Sequence, residues 1–342
     1  MQLKNLSIIL LAGALLVSTV VSQAVTIDLV PVGNAGNAPD TRYIGISVGA
    51  VNYSYDIGKY EITAGQYTAF LNAVAATDTY GLYNQYMNYD TYPLYRGCNI
   101  KRIGTSGSYT YSVASDWANR PVNWVSFWDA CRFVNWLNNG QSSGDTETGS
   151  YTLNGYNGAD GRTISKNAGA KWWIPSEDEW YKAAYHKNDG VTGNYWDYPT
   201  GTNNMPSNVL SNPNPDPGNN ANFNANGYTI GSPYYRTPVG DFENSASPYG
   251  TLDQGGNVWE WNDTVVSQGS GYSLRGMRGG SAIFNSSSLL ASNRMQNVPT
   301  DEAYNDFLLG FRVVYVPEPS SIILLISGFI GLLIRKLHRN GF

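Results

Sequence analysis

Two polar stretches, residues 141–161 and 199–235, constrain the fold of this chain most. They are rich in Asn, Gly, Ser and Pro, which supply turns and interrupt regular backbone pairing. Loops of this length inside a compact domain usually carry function or are held by something else, such as a bound ion. With no repeat of fixed period and no linker between them, the reading is one loop-rich α+β domain over residues 26–316.

Three helices stand out against these loops. In TAGQYTAFLNAVAA, Thr63 and Gln66 have capping-box spacing, and Tyr67, Phe70, Leu71 and Val74 recur on one face. In SFWDACRFVNWLNNG, Ser126 caps, Asp129 suits the first turn, Phe127, Ala130, Cys131, Val134 and Leu137 form the buried stripe, and Gly140 ends the helix. In PSEDEWYKAAYHKNDG, Ser176 and Glu179 repeat the capping box, and Trp180, Ala183 and Ala184 face inward. Strand-like runs are expected to be short, as in YIGISVGAV and GFRVVYV.

Neither end of the chain belongs to this domain. Residues 1–24 place Lys4 before an apolar run and end in Ser-Gln-Ala, the pattern of a secretory signal peptide cleaved after Ala24; an uncleaved anchor is the other reading. Residues 317–342 run from Pro317, Glu318 and Pro319 through an apolar stretch, Ile322 to Ile334, to Arg335, Lys336 and Arg339. That stretch is short for a permanent span, which needs about 20 residues, and suits a transient inner-membrane anchor with its basic end in the cytoplasm. The order resembles the PEP-CTERM sorting signal. The resemblance implies export in a Gram-negative, exopolysaccharide-making bacterium and an exosortase that removes the tail, leaving the protein at the surface, in the extracellular matrix or in the periplasm.

The whole chain has 21 Lys plus Arg against 26 Asp plus Glu. Four of those cations and one of the acids lie in the ends, so the domain between them is more acidic still, and nucleic acid is not an expected partner. Only 14% of residues are charged, against roughly a quarter in typical domains, which suits a loop-rich exported protein. Cys98 and Cys131 would meet an oxidising compartment, where one disulfide is an option; an inert buried thiol at Cys131 is the other.

Six blocks then occur in a familiar order: IGKYEITAGQYTAFLN, RPVNWVSFWDACRFVNWLN, WWIPSEDEWYKAAYH, DQGGNVWEW, RGMRGGSA and LGFRVV. Spread from Gly58 to Val314, they resemble the formylglycine-generating enzyme (sulfatase-modifying factor) family. The resemblance implies a C-type-lectin-like fold with little regular structure, often stabilised by calcium. Asp253 and Glu260 offer hard oxygens at either end of a glycine turn, and Gly256 and Val258 can contribute carbonyls, a set that suits Ca²⁺. The family's calcium site matches these four positions. A second family site would use the Asn222 side chain and the Phe223 carbonyl, but Gly231 and Ser232 stand where its acid is expected.

Family members oxidise a substrate cysteine to formylglycine with two copper-binding cysteines that follow Gly-Gly-Ser. In RGGSAIFNSSSLLASNR those positions fall on Phe284 and Leu289, and neither side chain can hold Cu(I), which demands soft thiolates. Copper is therefore not expected. Related proteins of ergothioneine synthesis use a histidine-rich iron site; only His186 and His338 are present, and His338 lies in the tail. Ser281 and Ser286 to Ser288 are expected to line a pocket, but no His or Lys is placed to activate them, so Ser281 is read as a pocket wall. Asp301, Glu302 and Asp306 read as a solvated acidic loop rather than a hydrolytic pair.

The function that follows is an exported, non-catalytic binding or structural module, with a peptide or exopolysaccharide as ligand, since flat aromatics and amides suit such grooves. The alternative is an oxidase of the formylglycine-generating kind or a variant metalloenzyme. A passive matrix component is a third reading.

Overall fold

A computed structural model describes residues 24–43, 45, 47–89, 96–210, 216–302 and 308–317. The leader up to residue 23 and the tail beyond Pro317 lie outside the described residues, as do Asp306 and His338. Within the described part no helix is long and apolar enough to cross a membrane.

The three capped helices form where their spacing predicts them. Helix α1 spans Ala64–Val74 and α3 spans Phe127–Asn138, with a one-turn α2 at Ser115–Ala118 between them; α4 spans Glu177–Tyr185. Each long helix carries its capping box, Thr63 with Gln66, Ser126 with Asp129 and Ser176 with Glu179, which satisfies two otherwise orphaned amide donors per helix. The inner faces of α1 and α3 meet through aromatic rings: Phe70, Phe133 and Trp136 pack at centroid distances of 5.3–5.5 Å, and Phe311 closes on Phe133 at 5.4 Å. That cluster anchors the main core.

One sheet joins the two ends of the domain. Strands β1 (Leu29–Val32), β2 (Tyr55–Gly58), β5 (Trp172–Trp173) and β10 (Val314–Tyr315) run in the order β1-β2-β10-β5, all neighbours antiparallel. Ile57 faces both Val30 and Val314, so the first and last strands of the domain flank or pair with one central strand. A separate hairpin pairs β3 (Ile100–Ile103) with β4 (Thr110–Val113).

The second large sheet departs from the expectation of short strands only. Strand β6 spans Trp259–Gly269 and β7 spans Tyr272–Arg278, eleven and seven residues, with β8 (Met295–Asn297) on one edge and β9 (Leu309–Gly310) parallel on the other. Register shifts between Trp261 and Ser267 break the strict two-residue alternation that would have announced β6. Conversely YIGISVGAV forms no strand among its described residues; Val48 makes only an isolated bridge to Asp40.

Candidate functional site

The loop that follows β7 holds the two positions where the family resemblance calls for copper-binding cysteines. Both are packed. Leu289 is fully buried among Tyr198, Ala221 and Phe223, and Phe284 meets Trp259 edge-on at 5.9 Å. Gly280 has φ +78°, and a Cβ there would lie 2.3 Å from Ser288 Oγ, so the turn is held tightly against the following 3-10 turn, Ser286–Leu289. Ser281 is fully buried, and its Oγ has no hydrogen-bond partner among the described residues, which does not suit the expected pocket wall. With a leucine filling the space and no thiolate, the donor set does not fit copper.

Behind β6 lies a buried acidic interior. Glu260 is wholly enclosed, with Arg312 donating from Nε at 2.6 Å and from a terminal guanidinium nitrogen at 2.7 Å, and Trp180 Nε1 donating at 2.7 Å. Asp253 accepts from the Gly240 amide at 2.6 Å, and burial lifts its carboxyl to about 6. Glu61 is 1% exposed, and neither of its oxygens has a partner among the described residues; burial, with Asp253 and Glu260 nearby, pushes it well above the usual carboxylate range. Three carboxyls therefore share one guanidinium, a state that protons or another cation must balance.

The chemistry of this set fits the calcium that the family implies. The Asp253 and Glu260 carboxylates and the Gly256 and Val258 carbonyls would hold it, and neither carbonyl accepts a hydrogen bond among the described residues. Among the described residues no three His, Cys, Asp or Glu side chains group to hold a metal, so such an ion would depend on those carbonyls. Gly256 is obligatory for the turn itself: φ is +91°, and an added Cβ would fall 2.0 Å from the Asn222 carbonyl oxygen. The second set fits poorly. Asn222 Oδ1 is buried and unpartnered, but the Phe223 carbonyl already accepts from Asn208 Nδ2 at 3.1 Å and Thr229 Oγ1 at 3.3 Å, and no acid stands in the Gly231–Ser232 stretch.

A different place gathers open polar groups. A cavity of about 110 Å³ lies at the N-terminus of α3, with Ser126, Trp128 and Asp129 on one side and Tyr80, Asn157, Thr300 and Glu302 on the other. Asp129 is 3% exposed; its Oδ2 takes the Ser126 amide and hydroxyl, while Oδ1 has no donor among the described residues. Glu302 has one oxygen held by Asn84 Nδ2, and the other likewise has no donor. Burial lifts Asp129 to about 6, against the Ser126 hydrogen bonds that oppose it. Burial together with Asp129, Asp78 and Asp301 lifts Glu302 to about 9. The reading of Glu302 as part of a solvated acidic loop is thus corrected, because the chain folds it back against α3. Sequence spacing could not bring Asp129 and Glu302 together.

Among the described residues no cation lines this cavity. Arg132 lies 4.4 Å over the Tyr80 ring but is committed to both oxygens of Glu147, at 2.7 and 3.0 Å, and to Asn157 Oδ1. Asp78, on the far side of Tyr80, is paired with Arg102 at 2.9 Å. A larger cavity, about 360 Å³, opens between residues 25–28 and the start of α1, with Glu61 in its lining.

The remaining expected residues are structural. Cys98 and Cys131 are both free and buried, so the disulfide option is not taken, and burial raises both thiols, which makes them poor nucleophiles. Cys131 sits on the inner face of α3. His186 follows α4 as its C-cap and is fully buried, with Nδ1 against Tyr249 Oη at 2.9 Å and Nε2 against the Thr192 carbonyl at 3.1 Å.

Comparison with known proteins agrees with this frame. The family described as sulfatase-modifying factor enzyme 1-like domain matches residues 30–316. Among solved structures, one titled Crystal Structure of CarF superposes with a TM-score of 0.53 at 22% identity, covering 86% of this chain and 99% of the other. Treponema denticola variable protein 1 gives 0.48 at 17% identity over 84% and 95%, and PvdO from Pseudomonas aeruginosa gives 0.44 at 17% over 84% and 94%. At 22% identity the likeness to the CarF structure speaks for the fold alone. No curated protein matches.

Proposed function

We propose that this chain, which belongs to the sulfatase-modifying factor enzyme 1-like family, serves as an exported, non-catalytic binding or structural module. The observation that carries the reading is the packing of Leu289 and Phe284 where the family's copper thiolates would stand. Leu289 is fully buried and the half-buried Phe284 packs against Trp259, so neither position offers a thiolate to a metal or a substrate thiol. The two cysteines that remain are buried elsewhere and have raised thiols, which argues against a relocated pair.

In this reading calcium, held by Asp253, Glu260 and the carbonyls of Gly256 and Val258, would be structural and would supply the positive charge that Glu61 and Asp253 lack. The leader and the Pro317–Glu318–Pro319 tail would direct export, with an exosortase-type enzyme acting on the tail and the domain left at the surface or in the matrix. Purified protein loaded with copper and incubated in air with a cysteine peptide of the sulfatase type is expected to leave the cysteine unchanged by mass spectrometry, beside an active family member. Conversion to the aldehyde would sink the reading.

A further inference from the structure

We propose that the cavity formed by Tyr80, Ser126, Trp128, Asp129, Asn157 and Glu302 binds the free ammonium group of an amino sugar within a glycan. The inference rests on the reading of the protein as a binding module and names the ligand class for one site of it. Asp129 is more than nine-tenths buried, lines the cavity and keeps one carboxylate oxygen without a donor. Glu302, across the cavity, keeps another. A buried acid and a half-buried one facing the same small cavity repel one another unless a proton or a cation stands between them. Every neighbouring guanidinium is already engaged: Arg132 with Glu147, Arg102 with Asp78.

The rest of the wall selects the kind of cation. Thr300 and the Tyr80 hydroxyl offer hydrogen-bonding groups around the acids, while Ser126 and Asn157 are already bonded to Asp129, Arg132 and the Tyr80 carbonyl. A lysine side chain would need an apolar tube for its methylenes, whereas a pyranose carries hydroxyls next to its ammonium and an apolar face for an aromatic ring. The cavity, about 110 Å³, takes the amino-bearing edge of one sugar and leaves the chain outside.

Binding such a cation replaces the proton that the two acids share. The charged groups around the pair are Asp78 and Asp301, which favour the proton, and Arg132, which opposes it. Affinity is therefore expected to rise with pH from about 6 upward until the ligand amine itself loses its proton, with net proton release on binding.

The test is calorimetry on the purified protein with a glucosamine oligomer, its fully N-acetylated counterpart and an oligolysine, in two buffers of different ionisation enthalpy. Expected are binding of the glucosamine oligomer, at least tenfold weaker binding of the acetylated one and of oligolysine, proton release near neutral pH, and at least a tenfold loss for Glu302→Gln in protein that keeps its wild-type circular dichroism. Equal binding of the acetylated oligomer would overturn the role of charge. Equal or tighter binding of oligolysine would make this a basic-peptide site and overturn the sugar. No binding by any probe would overturn the site, while leaving the non-catalytic reading standing, since that falls only on turnover of the cysteine peptide.

Discussion

The loop after β7 and the cavity under α3 treat polar groups in opposite ways. In the first, the reactive positions carry Phe284 and Leu289, Leu289 is fully buried, and the Ser281 hydroxyl is sealed in without a partner among the described residues. In the second, two acids are kept against a small void at the cost of raised carboxyls and no counter-charge. Packing is the cheaper way to occupy an interior, because apolar contact stabilises while an unpaired buried charge does not. A fold that fills one site and leaves the other charged and open has its recognition chemistry in the second.

Four changes would break or sharpen this contrast. Arg312→Met removes the guanidinium from Glu260 and leaves three carboxyls without any cation nearby; breaking such a buried pair costs about 3–5 kcal/mol, readable by chemical denaturation, and a loss under 1 kcal/mol would mean the acidic interior is balanced otherwise. Leu289→Ala opens a void in the filled site, with an expected loss of about 2–5 kcal/mol and no gain of copper-dependent oxidation. Saturating calcium is expected to raise the melting temperature; at a hundredfold excess over its dissociation constant the stabilisation is about 2.7 kcal/mol, and Asp253→Asn should abolish most of that increment. Glu302→Gln is expected to change stability least, within about 1 kcal/mol, and to stabilise slightly above neutral pH.

The pH dependence follows from the same carboxyls. Asp253 and Asp129 sit near 6 and Glu302 near 9 when folded, all above the roughly 4 of an unfolded chain. Above pH 4 the native state therefore holds more protons than the unfolded one, and these groups contribute stability at low pH that is lost as pH rises through about 6 and then about 9. Thermal melts without calcium should fall across that window, and calcium should restore most at its upper end. A flat profile would place compensating charge beside these acids.

Much of the frame was legible in the residues. Capping pairs three apart and apolar stripes gave the three long helices, because both are local signals within one turn of chain. The family blocks gave the fold and pointed to Phe284 and Leu289. Strand β6 was hidden, since its register shifts blur the alternation and its first residues had been read as a metal turn. The isolation of Cys98 from Cys131, the burial of His186 and the meeting of Asp129 with Glu302 depend on contacts between distant segments, on which spacing is silent.

The contrast between the two regions is tested most directly by hydrogen–deuterium exchange, followed by mass spectrometry, on the protein with and without saturating glucosamine oligomer. The account predicts slower exchange in the segments bearing Tyr80, Ser126 to Asp129, Asn157 and Thr300 to Glu302, with no change over residues 278–290. Protection over 278–290 with none around Asp129 and Glu302 would contradict it, by placing recognition in the loop after β7.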